Sequence, residues 1–380
     1  GGEQYQVGAT LVQTHLANSL KLFAEQGPRA VYLGEIAEKI AADMEAHDGL
    51  ITQEDLANYQ PVVREPVRGN YRGYDIASMP PPSSGGIHVI QILNILENFP
   101  IRELGQNSAA TIHLMAEAMK LAYADRSEYL GDPDFVDVPQ SGLTSEDYAK
   151  KLAEQIDRER ARPASEIKPG NPVDYESNET THYSVMDQAG NVVSTTYTIN
   201  FSYGTGIVAE GTGILLNNEM DDFSAKPGVP NAYGLIGGEA NAIEPRKRPL
   251  SSMTPTVVFQ DGKPFLVTGS PGGSRIITTV LQIIMNVIDH QMNIAEATLA
   301  RRVHHQWLPD ELRVEQGLSP DTLALLKSLG HTINVLPAMG STQSIVNREG
   351  GLYGFSDTRR AGALTLGPSL KTGEVAGTGQ

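Results

Sequence analysis

Along the first half of the chain, apolar residues recur every three or four positions, the spacing that lines one face of an α-helix. Leu11 to Ala24, Ile36 to Met44 and Ile87 to Leu96 carry this pattern. The clearest stretch is Ile112, Met115, Ala116, Met119 and Tyr123, with Ser108 standing where an N-cap is expected. Gly69 to Ser78 interrupts the helical pattern and predicts a short strand pair. Met79-Pro80-Pro81-Pro82-Ser83-Ser84-Gly85-Gly86 then predicts a turn that passes from rigid to flexible before a helix. Residues 158–179 hold three prolines and few large apolar groups, so an exposed linker is expected there.

After residue 180 the period changes to two. Tyr183 to Asp187 and Val192 to Tyr197 flank a turn at Gln188-Ala189-Gly190-Asn191. Thr256 to Gln260 and Phe265 to Val267 flank Asp261-Gly262-Lys263, and Ser344 to Val346 with Leu352 to Gly354 flank Glu349-Gly350-Gly351. Helices are predicted at Arg275 to Asp289, Ile294 to Arg301 and Pro320 to Leu329, the last with a Ser319 cap and Gly330 beyond its end. Successive hairpins with helices set apart predict an α+β fold, antiparallel sheets covered by helices, and not a doubly wound parallel sheet. The tail from Ala361 onward, rich in Gly and Thr, is expected to be loosely held.

Composition narrows the function classes. The 380 residues are 40% hydrophobic, enough for a sizeable core. A net charge of −16 repels phosphate backbones, so nucleic acid is not an expected partner. Without cysteine there are no disulfides, thiol nucleophiles or Cys-metal sites, and the compartment stays open. No stretch of eighteen apolar residues occurs, so no membrane-spanning helix is predicted. Gly1 to Gly8 reads as the interior of a longer protein, and an upstream region is expected.

The candidate chemistry starts at Glu179-Thr180-Thr181-His182-Tyr183-Ser184-Val185, where a threonine opens a strand after a loop-like stretch. Cleavage of the Glu179–Thr180 bond would give Thr180 a free α-amine beside its own hydroxyl. An amine with a pKa of roughly 7.7–8.0 can act as base for that hydroxyl. From local sequence alone an ordinary strand-initiating threonine is the better reading, so the case rests on the residues downstream. Ser270-Pro271-Gly272-Gly273-Ser274-Arg275 lies between a strand and an apolar helix, and reads as an anion- or oxyanion-binding loop or a plain turn. Ser251 and Ser252 pair hydroxyls that suit a carboxylate, or cap a turn. Asn217-Asn218-Glu219-Met220-Asp221-Asp222-Phe223 offers carboxylates for an ammonium or a cation, or forms a solvated loop. His304 and His305 are read as structural, and Asp125-Arg126-Ser127-Glu128 as ion pairs at a helix end.

Taken in order, these motifs, with Arg248 to Pro255 and Met79 to His88, resemble the γ-glutamyltranspeptidases, which are N-terminal-nucleophile hydrolases. The resemblance runs through almost the whole chain but begins partway into the family's large subunit, so the N-terminal half of that subunit is expected to be missing. The tail after Arg359 diverges. The likeness implies an αββα four-layer sandwich. It makes residues 1–179 the C-terminal part of the large subunit and residues 180–380 the small subunit, both in one catalytic domain.

Residue by residue, the resemblance makes Thr180 the self-processing residue and nucleophile, helped by Thr198. It assigns Asn200, Glu219 and Asp222 to the substrate α-amine, Ser251 and Ser252 to its α-carboxylate, Gly272 and Gly273 to the oxyanion, and Tyr233 to a covering loop between Pro227 and Gly238. The implied reaction transfers the γ-glutamyl group of glutathione or a related compound through a Thr180 ester to water, an amino acid or a peptide. No cofactor or metal is implied. The two subunits would come from one precursor, in the periplasm or outside the cell. The alternatives are an amidase of the glutaryl β-lactam acylase type and a truncated, catalytically silent homologue.

Overall fold

The computed structural model describes residues 5–172, 183–349, 351–368 and 375–378. They form two compact units: Gly1–Val63 with Thr198–Glu219, and Arg64–Tyr197 with Met220–Gln380.

The first unit packs helices Thr14–Gln26 and Glu35–Ala46 with the strand pair Val208–Ala209 and Ile214–Leu215. Its core is small: Ala30, Ile36, Ile40 and Ala209, with Leu22 and Leu216 against them. Ser19 Oγ donates to the Thr212 carbonyl at 2.7 Å, joining helix and loop across a long stretch of sequence. The short helix Gln53–Asn58 begins with a capping box between Thr52 and Asp55.

In the second unit a six-stranded antiparallel sheet runs in the order Val67–Tyr71, Tyr74–Ser78, Thr256–Gln260, Lys263–Thr268, Gln343–Arg348, Gly351–Ser356. Two of its hairpins close with two-residue turns in which both residues have positive φ, Arg72-Gly73 and Asp261-Gly262. That geometry matches the twist of the flanking strands. Along Lys263–Thr268 successive side chains face opposite sides. Leu266 joins the main core with Val258 and Val346, under helices Gly85–Glu97, Ala109–Tyr129 and Arg275–Ile288. Val267, equally buried, faces the hairpin Ser184–Met186 with Val192–Ser194, and Ser184 Oγ donates to the Gln343 carbonyl at 2.9 Å. The layers therefore run helix, sheet, sheet, and the α+β fold expected from the sequence is present. At Gly69 the helix comes so close that an added Cβ would lie 2.5 Å from Ile90 Cγ2.

Three expectations change. A small sheet of Val303–His304, Leu312–Glu315 and Ile333–Leu336 contains a parallel pair, joined by helix Pro320–Ser328, where only antiparallel pairing was expected. Its strands are too short to show a clear period, and Leu312 to Glu315 is almost wholly buried. Ser319 makes no capping hydrogen bond, although Pro320 sits in the first turn and Gly330 has φ of +101°. The tail forms strands Thr365–Pro368 and Val375–Thr378, paired antiparallel.

The stretch read as an exposed linker is fastened along its described part, residues 158–172. Ala161, Ala164 and Ile167 are buried. The Ala164 amide donates to Asp310 at 2.8 Å, and its carbonyl accepts from Trp307 Nε1 at 3.0 Å. The Gly170 amide donates to buried Asp125 at 2.7 Å. These partners are distant in sequence, so the local composition, polar and proline-containing, gave no sign of them.

Candidate active site

Glu179 and Thr180, the expected cleavage site and nucleophile, lie outside the described residues. The remaining candidates fall into both units. Thr198, Asn200 and Glu219 belong to the first; Asp222, Tyr233, Ser251, Ser252, Gly272 and Gly273 belong to the second.

In the first unit, Asn200 takes a positive φ of 70°, a conformation that Asn tolerates better than most residues. Its amide donates to Thr198 Oγ1 at 2.8 Å and its side chain to the Asn218 carbonyl at 3.1 Å. Asn218 returns a bond by accepting from the Phe201 amide at 2.9 Å, and the Glu219 amide donates to Asn217 Oδ1 at 2.9 Å. The stretch Asn217-Asn218-Glu219 and the 198–201 turn thus brace each other. Glu219 Oε1 is buried without a hydrogen-bond partner among the described residues, and burial raises its carboxyl above the ordinary range. Buried acceptors in folded proteins are nearly always met by a donor, so this oxygen is open to one from outside the described residues.

In the second unit the serine pair rests on the turn at Met79–Gly86. The Ser251 amide donates to the Pro82 carbonyl at 2.7 Å, the Ser84 amide donates to the Ser251 carbonyl at 2.9 Å, and Ser83 Oγ donates to the Met253 carbonyl at 3.0 Å. Gly85 permits this approach: an added Cβ would lie 2.4 Å from the Met253 carbonyl. Ser251 Oγ accepts from the Met253 amide at 3.3 Å, and Ser252 Oγ accepts from Arg126 Nη2 at 3.2 Å. Neither serine hydroxyl donates to an acceptor among the described residues, so both protons stay available.

Before the Arg275–Ile288 helix, Gly272 and Gly273 have φ of +145° and +57°. Their amides donate to no acceptor among the described residues, while their carbonyls accept from the Arg275 and Ile276 amides and start the helix. Two free amides at a helix start form a site for developing negative charge. Tyr233 packs its ring on Gly273. Gln306 anchors this tyrosine, donating to its carbonyl at 3.1 Å while accepting from Ser274 Oγ at 2.9 Å.

Sequence reasoning missed what holds these loops together. Asn241, buried, donates to the Asp222 carbonyl at 2.8 Å and accepts from the Leu250 amide at 3.0 Å, tying the acidic loop to the serine pair. Tyr123 donates to the Ser274 carbonyl, and Arg126, one turn later on the same helix, reaches Ser252. Residues three apart on a helix are neighbours, so the glycine loop and the serine loop are held side by side. A polar residue within an apolar helical pattern was the available signal.

Arg126 also corrects the expected ion pairs at a helix end. Arg126 does lie in the last turn of the helix, with Asp125 just before it, but both are buried and neither forms an ion pair with a described residue. Asp125 instead accepts from Gln91 at 2.7 Å, Tyr148 at 2.8 Å and the Gly170 amide.

His304 and His305 are structural, as expected. His304 bridges Thr278 Oγ1 at 2.8 Å and Gln306 at 2.9 Å, and burial pulls its pKa down to about 3. His113, Glu117 and His331 converge closely enough to invite a metal reading. His113 Nε2 donates to the Asp157 carbonyl at 2.7 Å, and its Nδ1 shares a hydrogen bond with His331 Nε2 at 2.8 Å. Lys120 pairs with Glu117 at 2.6 Å, so a cation already stands beside the carboxylate.

The gamma-glutamyltranspeptidase family profile matches residues 1–366. The chain belongs to that family. It is 63% identical over 367 residues to the glutathione hydrolase proenzyme of Escherichia coli (strain K12), covering 96% of this chain and 63% of that protein. It is 48% identical over 380 residues to the glutathione hydrolase proenzyme of Pseudomonas sp. (strain A14), covering 96% of this chain and 65% of that one. The chain thus spans a little under two-thirds of these curated relatives. In structure it resembles the cephalosporin acylase from Bacillus halodurans, with a TM-score of 0.80 at 30% identity, covering 91% of this chain and 61% of that one. The match is to a family of N-terminal-nucleophile hydrolases, in keeping with the helix–sheet–sheet order. No helix among the described residues is long and apolar enough to cross a membrane.

Proposed function

We propose that this chain is the self-processing, nucleophile-bearing part of a γ-glutamyl acyltransferase and hydrolase. The observation that carries the reading is the serine pair: both hydroxyls accept from the protein and keep their protons for an outside acceptor, here the α-carboxylate of a γ-glutamyl group. The family resemblance assigns Asn200, Glu219 and Asp222 to the α-ammonium, and Glu219 Oε1 is buried without a hydrogen-bond partner among the described residues. A glutaryl group has no ammonium to meet that oxygen, which disfavours the acylase alternative.

The mechanism proceeds in two steps. The α-amine of Thr180, freed by cleavage after Glu179, takes the proton of its own hydroxyl, with Thr198 alongside as a hydrogen-bond partner. The oxygen attacks the γ-glutamyl amide carbonyl, and the amides of Gly272 and Gly273 hold the oxyanion. Collapse expels the amine as the proton returns to it, leaving a γ-glutamyl ester on Thr180. Water or an acceptor amine then attacks the ester and regenerates the hydroxyl. Tyr233 covers the glycine loop. The substrates are small γ-glutamyl compounds such as glutathione, and the processed chain works as two subunits from one precursor, in the periplasm or outside the cell.

The deciding experiment compares γ-glutamyl, glutaryl and 4-aminobutanoyl p-nitroanilides with the purified protein. The γ-glutamyl compound is expected to turn over with the highest kcat/KM. Preference for the glutaryl compound would favour the acylase reading, and an uncut chain without turnover would favour a silent homologue.

A further inference from the structure

Arg126 is 4% exposed, and its guanidinium has no carboxylate paired with it among the described residues. A buried cation left without an anion is strongly unfavourable unless one arrives. Nε donates to Ser84 Oγ at 2.8 Å and Nη2 to Ser252 Oγ at 3.2 Å. Ser84 in turn donates its hydroxyl to the Ser251 carbonyl at 2.9 Å, so this one side chain is fastened to both halves of the serine loop. Asp222 acts on the guanidinium through space, without a hydrogen bond to it.

The hydroxyl of Ser252 is thereby given a direction. Its oxygen accepts from a cation, so its proton turns outward, and charge-assisted bonding polarises it into a stronger donor. We propose that Arg126 is a positioning residue that selects acyl groups bearing an α-carboxylate, orienting and polarising the Ser252 hydroxyl and adding its positive charge to the site. This rests on the γ-glutamyl reading of the serine pair. Arg126 does not touch substrate; it acts through Ser252.

The test measures KM and kcat of the processed protein on γ-glutamyl p-nitroanilide and on 4-aminobutanoyl p-nitroanilide, which is the same substrate without the α-carboxylate. Arg126→Met is expected to raise KM for the first by about 10–100-fold, and for the second by less than about threefold, with kcat little changed. Equal losses on both substrates would mean a packing role and overturn the proposal. In a Ser252→Ala background, Arg126→Met is expected to add less than about threefold to KM, because the two act as a unit. Full additivity overturns action through Ser252. If Arg126→Met fails to fold, Arg126→Lys is read instead: it keeps the charge but not the two-armed span. An intermediate rise of about 3–10-fold, confined to the carboxylate substrate, is expected, and no change overturns the proposal. Should the wild type itself not prefer the γ-glutamyl substrate, the reading of the serine pair fails and Arg126 falls with it. Should the wild type prefer it and Arg126→Met keep the preference, the role of Arg126 alone is lost.

Discussion

The ring of Tyr233 lies on Gly273 so closely that a Cβ at residue 273 would sit 2.5 Å from Tyr233 Cε1. The same glycine has φ of +57° and offers its amide to the site. Two constraints, the ring above and the left-handed backbone, therefore require glycine there. Gly273→Ala is expected to lower kcat by about 10²–10³-fold, the range for losing an oxyanion donor. Removing the ring relieves one constraint, so Gly273→Ala with Tyr233→Ala should be faster than Gly273→Ala alone. A double variant slower than the single would show that the ring is not what displaces the loop.

Thr180 is expected to serve in both processing and turnover. Thr180→Ala should persist as a single uncut chain on a denaturing gel and show no γ-glutamyl turnover. Two bands from that variant would remove residue 180 from the mechanism.

Stability should depend on pH through buried groups that pull in opposite directions. Burial lowers His88, His304 and His331 to about 3 from an ordinary 6.5. As pH falls through 6.5 toward 3, the unfolded chain binds protons on these rings that the folded chain refuses, and stability is lost. Burial raises the Asp125 carboxyl from 3.8 to about 6, ahead of the donors that surround it. Between those values the folded state keeps a proton that the unfolded state releases, so stability rises as pH falls. Each group is worth about 1.4 kcal/mol per pH unit inside its window, so three rings outweigh one carboxyl. Tm should fall between about pH 7 and about pH 5, and more steeply in Asp125→Asn, which lacks the offset. A flatter profile in that variant would contradict the assignment.

The His113, Glu117 and His331 cluster is expected to behave as a polar network and not as a metal site. Chelator should leave Tm unchanged. Lys120→Met leaves Glu117 buried without its cation and should destabilise the protein by about 3–5 kcal/mol, read from denaturant unfolding. Glu117→Leu added to Lys120→Met should recover part of that loss. A chelator-sensitive Tm would reverse the reading.

Much of the fold was legible because its signals are local. Helical spacing from Ile112 to Tyr123, with Ser108 capping the start by accepting from the Thr111 amide, placed the central helix. Asp261-Gly262 placed a hairpin turn through its positive φ requirement. The linker reading failed at Ala161, Ala164 and Gly170, whose partners Leu329, Asp310 and Asp125 lie far along the chain. The parallel pair of Leu312–Glu315 and Ile333–Leu336 was hidden because four-residue strands carry too little period to be recognised.

By itself the sequence determined the element types over most of the chain, the cysteine-free chemistry, and the motif series carrying the family resemblance, since these depend on residue type and short spacing. Only the tertiary structure decided that Tyr123 and Arg126 would stand beneath the glycine and serine loops, and that Asn241 would join Asp222 to Leu250. Arg126 and Ser252 are 126 positions apart. What a buried side chain does depends on which distant groups folding brings against it, and that pairing has no local pattern to read.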